Sequence, residues 1–342
     1  MPFDPPRPGR LAGALLMGAA VIGAVALVNH AVARRSERAH PAEGRFMEVE
    51  GVRLHFVERG TGRPIVLLHG NGAFVQDWQV SGVLDLLARD HRVIAFDRPG
   101  FGYSERPRNR IWTPRAQAAL LHTALMRLRV RDPILVGHSW GTLVALAMAL
   151  DHKRDIAGLV LLAGYYFPTR RLDVPLLSGP AIPGLGDLMR YTVLPPISWL
   201  LRRPMVRRLF APSPVTPRFW AQFPLPLCVR PAQLRAIGAD TALMIPAASR
   251  LARRYRELEI PAVIVAGIDD QIVDMRRQSR RLRGMLANSI MYAVDGAGHM
   301  VHHLAPEMVA RAVSSAERAA ASGTRPSPVQ AVAPNSATMR GS

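Results

Sequence analysis

The chain has 342 residues, 49% of them hydrophobic, and a formal net charge of +19. That length and apolar content suit a full-size core in one or two domains, so disorder is not the default. Cys228 is the only cysteine, which excludes an intramolecular disulfide and any cysteine-based metal site. The positive charge is almost all arginine, Lys153 being the only lysine. Arginine beside abundant alanine fits a GC-rich genome; its functional counterpart is an anionic partner. A membrane surface suits that partner better than nucleic acid, because no zinc finger, aromatic stacking box or basic recognition helix is present.

Leu11 to Ala33 carries no charge and is flanked by Arg7 and Arg10 before and by Arg34, Arg35 and Arg38 after. At helical rise it is long enough to cross a bilayer. Residues 1–45 are therefore expected to be an N-terminal membrane anchor, which places the protein in a bacterial inner membrane. The alternative is a signal peptide cleaved after Ala31-Val32-Ala33, which would release a secreted or periplasmic protein. Phe46 to Arg59 alternates around Glu50-Gly51 and predicts a hairpin. Pro64–Leu68 predicts a buried strand, 73–88 a helix, and Arg92–Phe96 a strand. A helix follows over 113–128, opened by Thr113-Pro114 as N-cap and first-turn proline. Then come a strand at 133–136, a helix at 140–151 and a strand at 156–162. Alternating strands and helices predict a mostly parallel sheet with helices on both faces.

From 165 to 251 prolines and arginines dominate, and the prolines are expected to prevent long regular helices through much of the segment. It predicts a cap inserted into a core formed by 46–164 and 252–320. The core resumes with a strand at 261–266, a helix near 275–286, a strand at 289–294 and a helix at 306–320. Residues 321–342 lack pattern and are expected to be a disordered tail.

The chemistry centres on Gly137-His138-Ser139-Trp140-Gly141, which stands between a strand and a helix. In that context G-x-S-x-G is a nucleophile elbow, whose tight turn demands small flanking residues and lifts the serine hydroxyl clear of the sheet. A serine hydroxyl needs a base. His299, in the loop Gly296-Ala297-Gly298, is the candidate, with His302 and His303 as rivals. His69 is expected to order its loop. His138 suits packing, and with Trp78 it is carried as a candidate for the substrate pocket. Trp78 and Trp140 suit pocket wall and core equally.

Four motifs agree in order and spacing: His69-Gly70-Asn71-Gly72, Asp97-Arg98-Pro99-Gly100-Phe101-Gly102-Tyr103-Ser104, the elbow, and the pair Gly267-Ile268-Asp269-Asp270 and Gly296-Ala297-Gly298-His299. Over residues 46–320 the chain resembles the capped α/β-hydrolases, in which the cap follows the sixth strand. The resemblance implies the α/β-hydrolase fold and a triad of Ser139, Asp270 and His299, with Asp269 the neighbour to be distinguished from Asp270. Asp274 and Asp295 suit loop or surface positions. It implies an oxyanion hole from the backbone N–H groups of Asn71 and Trp140, each such donor being worth about 3 kcal/mol of barrier. The Asp97–Gly102 segment is a structural turn in the family and is expected to carry no chemistry.

Haloalkane dehalogenases and epoxide hydrolases share the cap but use an aspartate nucleophile. A serine attacking an alkyl carbon would leave an inert ether, so Ser139 points to attack on a carbonyl. The expected activity is hydrolysis of a carboxylic ester with a hydrophobic or lipid-like acyl group. Carbon–carbon bond hydrolases, aminopeptidases, haloperoxidases and acyltransferases share the same residues. A membrane-tethered binding protein is the non-enzymatic alternative, to which a complete triad gives little support. No metal or organic cofactor is implied. Between Tyr165 and Arg235 ten arginines face only Asp173 and Asp187. A basic, apolar cap suits an amphipathic lid on anionic lipid, and equally a solvated basic surface.

Overall fold

The computed structural model describes residues 8–326. Eight strands form one sheet: β1 (Arg45–Val49), β2 (Val52–Arg59), β3 (Arg63–Leu68), β4 (His91–Phe96), β5 (Ile134–His138), β6 (Gly158–Leu162), β7 (Ala262–Gly267) and β8 (Ser289–Val294). Their order is β1-β2-β4-β3-β5-β6-β7-β8. β2 is antiparallel to both neighbours, and every pairing from β4 through β8 is parallel. The β1–β2 turn places Glu50 at φ 51° and Gly51 at φ 71°. Positive φ at both central residues gives the twist that a two-residue hairpin needs.

The parallel strands are short apolar runs because both of their faces are covered. Val66, Leu68 and Leu135 pack toward helices α4 (Pro114–Arg127) and α5 (Gly141–Asp151). Ile65, Leu67, Ile134 and Val136 pack toward α2 (Val75–Val80), α3 (Val83–Leu87) and α14 (Pro306–Ser322). Thr113 caps α4 by accepting from Ala116 N at 3.2 Å. The single helix expected over 73–88 is two short ones, because Gly82 adopts φ 82° between them. The chain leaves β3 for β4 on one side and returns to β5 on the other. A crevice therefore opens at the carboxyl ends of β3 and β5, where ligands sit in such sheets.

Between β6 and β7 lies the inserted cap, with helices α6 (Asp173–Ser178), α7 (Leu185–Tyr191), α8 (Leu194–Phe210), α9 (Pro217–Gln222), α10 (Leu225–Cys228) and α11 (Pro231–Ala252). The prolines do not keep these helices short: α8 has 17 residues and α11 has 22, with Pro204 and Pro246 inside them. Pro195, Pro217 and Pro231 occupy first turns, where the missing N–H would have had no helical partner. Phe210, Phe219 and Phe223 seat the cap on Phe74, Phe101 and Met300 of the core. Its outer side is apolar and uncovered, with Leu172, Leu176 and Leu200 exposed at 90%, 82% and 75%.

Helix α1 (Pro8–Ala39) is long and apolar enough over Leu15–Ala39 to cross a membrane, and its most apolar part is unburied. A signal sequence passes the same test. Its carboxyl half docks on the cap: Asn29 Nδ2 donates to the carbonyls of Tyr191 and Thr192, both at 2.8 Å. Glu37 pairs with Arg230 at 3.0 Å, and the Tyr103 hydroxyl donates to the His40 carbonyl. At the other end α14 runs on to Ser322, and Arg325 Nη2 donates to the Ser289 carbonyl at 3.0 Å. The remainder of the expected tail, 327–342, lies outside the described residues. Helices α12 (Arg281–Met285) and α13 (Val301–Leu304) complete the fold.

Candidate active site

The elbow after β5 leaves no room for side chains at its glycines. A Cβ on Gly141 would meet the Leu68 carbonyl oxygen at 2.2 Å, and one on Gly137 would meet the Gly141 backbone at 2.9 Å. Ser139 between them sits at φ 50°. This left-handed position is unusual for serine and marks backbone held by its surroundings at a functional turn. Its N–H donates to the Leu162 carbonyl at 2.9 Å, which ties the turn to β6.

Ser139 Oγ lies 2.9 Å from His299 Nε2, and His299 Nδ1 lies 2.8 Å from Asp270 Oδ2. Asp270 is held in turn, its Oδ1 accepting from the N–H groups of Ile272 and Val273 at 2.7 and 2.9 Å. Asp269 is exposed and outside this chain of bonds. The loop carrying His299 leans on the cap. A Cβ on Gly298 would meet the Ala211 carbonyl oxygen at 2.1 Å, and Met300 N–H donates to the Leu209 carbonyl at 3.3 Å. The arrangement can pass a proton from Oγ to Nε2 while the carboxylate steadies the imidazolium.

Beside Ser139, the backbone N–H groups of Asn71 and Trp140 have no hydrogen-bond partner among the described residues. The Asn71 loop lies against the elbow, since a Cβ on Gly70 would stand 3.1 Å from Ser139 Cβ. What orients this loop is Arg98, which is fully buried. Its Nε donates to the His69 carbonyl at 2.8 Å and its Nη2 to the Gly70 carbonyl at 3.0 Å. The Gly70 carbonyl and the Asn71 N–H belong to one planar trans peptide and point in opposite directions. Holding the carbonyl therefore aims the N–H. Arg98 is itself paired with the buried cap residue Asp240 at 2.7 Å, and Arg106 holds the other carboxylate oxygen at 2.9 Å. The Trp140 ring lies over the Arg98 guanidinium at 4.6 Å, and its Nε1 donates to the Asp240 carbonyl at 2.9 Å. One cap residue, through its carboxylate and its backbone carbonyl, thus ties the turn after β4, the Asn71 loop and the elbow together. Asn71 is also tied to the cap directly, its Nδ2 donating to Thr241 Oγ1 at 3.0 Å.

Trp78 and His138 do not line a pocket. Trp78 has no exposed surface and packs in the core on the α2–α14 face of the sheet, against the His302 ring. His138 is buried, its Nε2 donating to the His299 carbonyl at 3.1 Å. It steadies the backbone of His299. Trp140, 2% exposed, belongs to the junction of core and cap. The rivals His302 and His303 are turned away from Ser139: each donates through Nε2 to the buried Asp77, at 2.9 and 2.8 Å. Asp77, His302 and His303 offer ligand atoms within 4.8 Å of one another, as do His122, His152 and Asp155 at the surface. In the first group Nε2 of each histidine is hydrogen-bonded to the Asp77 carboxylate, and His302 Nδ1 is buried without a partner. In the second, His122 binds Asp155 at 2.9 Å and stacks on His152.

Arg98, Asp240 and Asp77 are the residues that sequence reasoning missed. Asp240 left one signal, a lone carboxylate in the apolar run Ala236–Met244, which calls for a buried cation.

The buried histidines make stability acid-sensitive. Burial and the adjacent Arg98 push His69 down to about 3, and its Nδ1–H donates to the Gly70 carbonyl at 2.8 Å. Burial also holds His138 well below the ordinary imidazole range, and it lowers His302. Groups with lowered folded values bind protons more readily unfolded, so their contribution is complete above about pH 6.5 and is lost as pH falls toward 3. For Asp77 burial acts to raise the carboxyl, but the two imidazoles outweigh it and hold it well below the usual range, adding loss at the acid end. His55 has the opposite sign: burial acts to lower it, Asp97 at 2.6 Å outweighs this, and its contribution fades as pH rises. The urea midpoint is expected to fall steeply between pH 6.5 and 4, and His302→Gln to flatten that slope.

A doubly wound sheet carrying a serine elbow, a hydrogen-bonded histidine and carboxylate, and two free N–H groups defines a hydrolase of the α/β type. The family described as the alpha/beta hydrolase fold matches residues 63–306, and the chain belongs to it. A 2-hydroxymuconate semialdehyde hydrolase of Pseudomonas sp. (strain CF600) is 30% identical over 274 residues, covering 76% of this chain and 88% of that one. Haloalkane dehalogenase 2 of Mycobacterium tuberculosis is 25% identical over 290 residues, covering 80% and 94%. Among solved structures, a membrane phospholipase A described as a bacterial virulence factor shares the fold with TM-score 0.62 and 20% identity, covering 94% of this chain and all of that one.

Proposed function

We propose that the protein is a serine hydrolase that cleaves carboxylic esters of hydrophobic, lipid-like acyl groups beside a membrane. Ser139 is the nucleophile, His299 the general base and Asp270 its orienting carboxylate. His299 takes the Oγ proton as Oγ attacks the ester carbonyl, and the N–H groups of Asn71 and Trp140 receive the oxyanion. Collapse expels the alcohol, which takes the proton from His299. Water, deprotonated by His299, then clears the acyl-serine. The observation that carries this reading is the Ser139–His299–Asp270 chain of hydrogen bonds with two unpartnered N–H groups beside it.

The membrane part rests on α1 and on the uncovered apolar side of the cap, where exposed leucines stand among Arg202, Arg203, Arg207 and Arg208. Contiguous apolar surface rimmed by cations fits an anionic lipid surface. The whole-length fold neighbour being a membrane phospholipase A agrees with this reading.

A second reading is hydrolysis of a carbon–carbon bond, favoured by the 2-hydroxymuconate semialdehyde hydrolase relative. The full chain in detergent, assayed on p-nitrophenyl esters from acetate to palmitate and on a vinylogous diketone, separates the two. Ester turnover with a long-chain optimum is expected; turnover of the diketone alone would replace the ester reading.

A further inference from the structure

A second cleft, separate from Ser139, opens where α1, the turn after β4 and the start of α11 meet. It holds about 550 Å³ and is lined by Arg34, Arg53, Arg106, Arg230 and Arg235, with Glu37 and Glu105 as its carboxylates. Glu37 is engaged by Arg34 at 3.3 Å and Arg230 at 3.0 Å, and Arg106 is engaged by Asp240 at 2.9 Å. Glu105 accepts from the Arg53 backbone N–H at 3.3 Å. Two guanidiniums have no ion pair among the described residues. Arg53 is stacked on the Phe46 ring at 3.7 Å, and Arg235 gives a single hydrogen bond, to the Arg106 carbonyl at 3.1 Å. Burial, and then the guanidiniums of Arg108, Arg190 and Arg106, press Arg235 below the ordinary arginine range, with Asp187 acting against them. Arg34 is the first charged residue after the uncharged run Leu11–Ala33. With α1 in a bilayer, this cleft therefore stands at headgroup depth.

We propose that the cleft binds a phosphate group, with Arg53 and Arg235 supplying the free donors. Guanidinium forks match phosphate oxygens two at a time, and partly desolvated charge-assisted bonds are the strong ones. Cationic residues just beyond a membrane span meet the phosphates of anionic lipids, each worth about 1 kcal/mol near the surface. A lipid headgroup and free phosphate present the same chemistry. The headgroup-depth argument rests on the membrane reading of α1; the charge argument does not.

The test uses the full chain in non-ionic detergent, with Ser139→Ala to prevent turnover of the probe. Inorganic phosphate and dihexanoyl phosphatidylglycerol below its micellar concentration are titrated separately and followed by phosphorus NMR linewidth. Saturable broadening is expected, about tenfold weaker for each guanidinium removed in Arg53→Gln and Arg235→Gln. Arg34→Gln, on an exposed side chain, repeats the test where folding is not in question. Broadening by the lipid alone assigns a headgroup, by inorganic phosphate alone a soluble phosphate, and by both the phosphate group itself; each supports the site. No saturable broadening, broadening undiminished in all three variants, or equal displacement by octanoate would overturn it. Flotation of the same protein with uncharged-headgroup phosphatidylcholine vesicles reports α1 alone. Failure of the membrane reading is thus separable from failure of the cleft.

Discussion

Ser139→Ala is expected to lower kcat on p-nitrophenyl esters by roughly 10⁴- to 10⁶-fold, with little change in KM or in the urea midpoint. The substitution removes one oxygen. Alanine and serine bear the same burden at φ 50°, so the elbow is not further strained. His299 keeps its bond to Asp270 and loses only its contact with Oγ, 2.9 Å away. Acyl transfer then depends on direct attack by water, with the two N–H groups as the remaining catalytic aid. The loss corresponds to about 5–8 kcal/mol of barrier. Steady-state kinetics on the purified variant check it, with burst-phase acylation as the companion measurement. Activity that survives the substitution would point to a different nucleophile and remove the proposed mechanism.

Arg98→Met is expected to reduce kcat by about 10²-fold, the scale of losing one oxyanion donor, while KM changes little. Without the guanidinium, the His69 carbonyl loses its donor and the Gly70 carbonyl keeps only the His69 Nδ1–H, so the Asn71 N–H is less firmly aimed. The same variant is expected to lose about 3 kcal/mol of stability, because Asp240 stays buried with Arg106 as its sole ionic partner. A structural role alone would be repaired by removing the stranded charge as well. Arg98→Met combined with Asp240→Leu should therefore recover most of the urea midpoint but little of kcat. Recovery of both together would show that Arg98 acts only through stability, and the proposed positioning of Asn71 would be abandoned.

Much of this was legible before any coordinates. The β-hairpin at Glu50-Gly51, the helix cap at Thr113-Pro114 and the elbow at Ser139 are local signals. Each depends on residues within one turn of the chain, whose dihedral preferences act wherever the segment lands. The proline argument failed in the cap because it counted prolines without their helical positions: at a first turn proline costs nothing in hydrogen bonds, and α8 and α11 each carry only one more inside.

Trp78 and His138 show a different limit. An aromatic or histidine near a motif can face a cavity or the core, and the choice depends on which element covers it. Here His302 stacks on Trp78 and the His299 backbone takes the His138 proton donor. By itself the sequence determined the order of strands and helices in the core, the elbow and the candidate residues, because periodicity and turn chemistry are short-range. Only the tertiary structure decided which histidine of three meets Ser139 and which of two adjacent aspartates meets that histidine. Only the tertiary structure revealed that Arg98 and Asp240, 142 positions apart, close beneath the Asn71 loop. Those pairings rest on burial and hydrogen-bond geometry between distant segments, and no local preference encodes them.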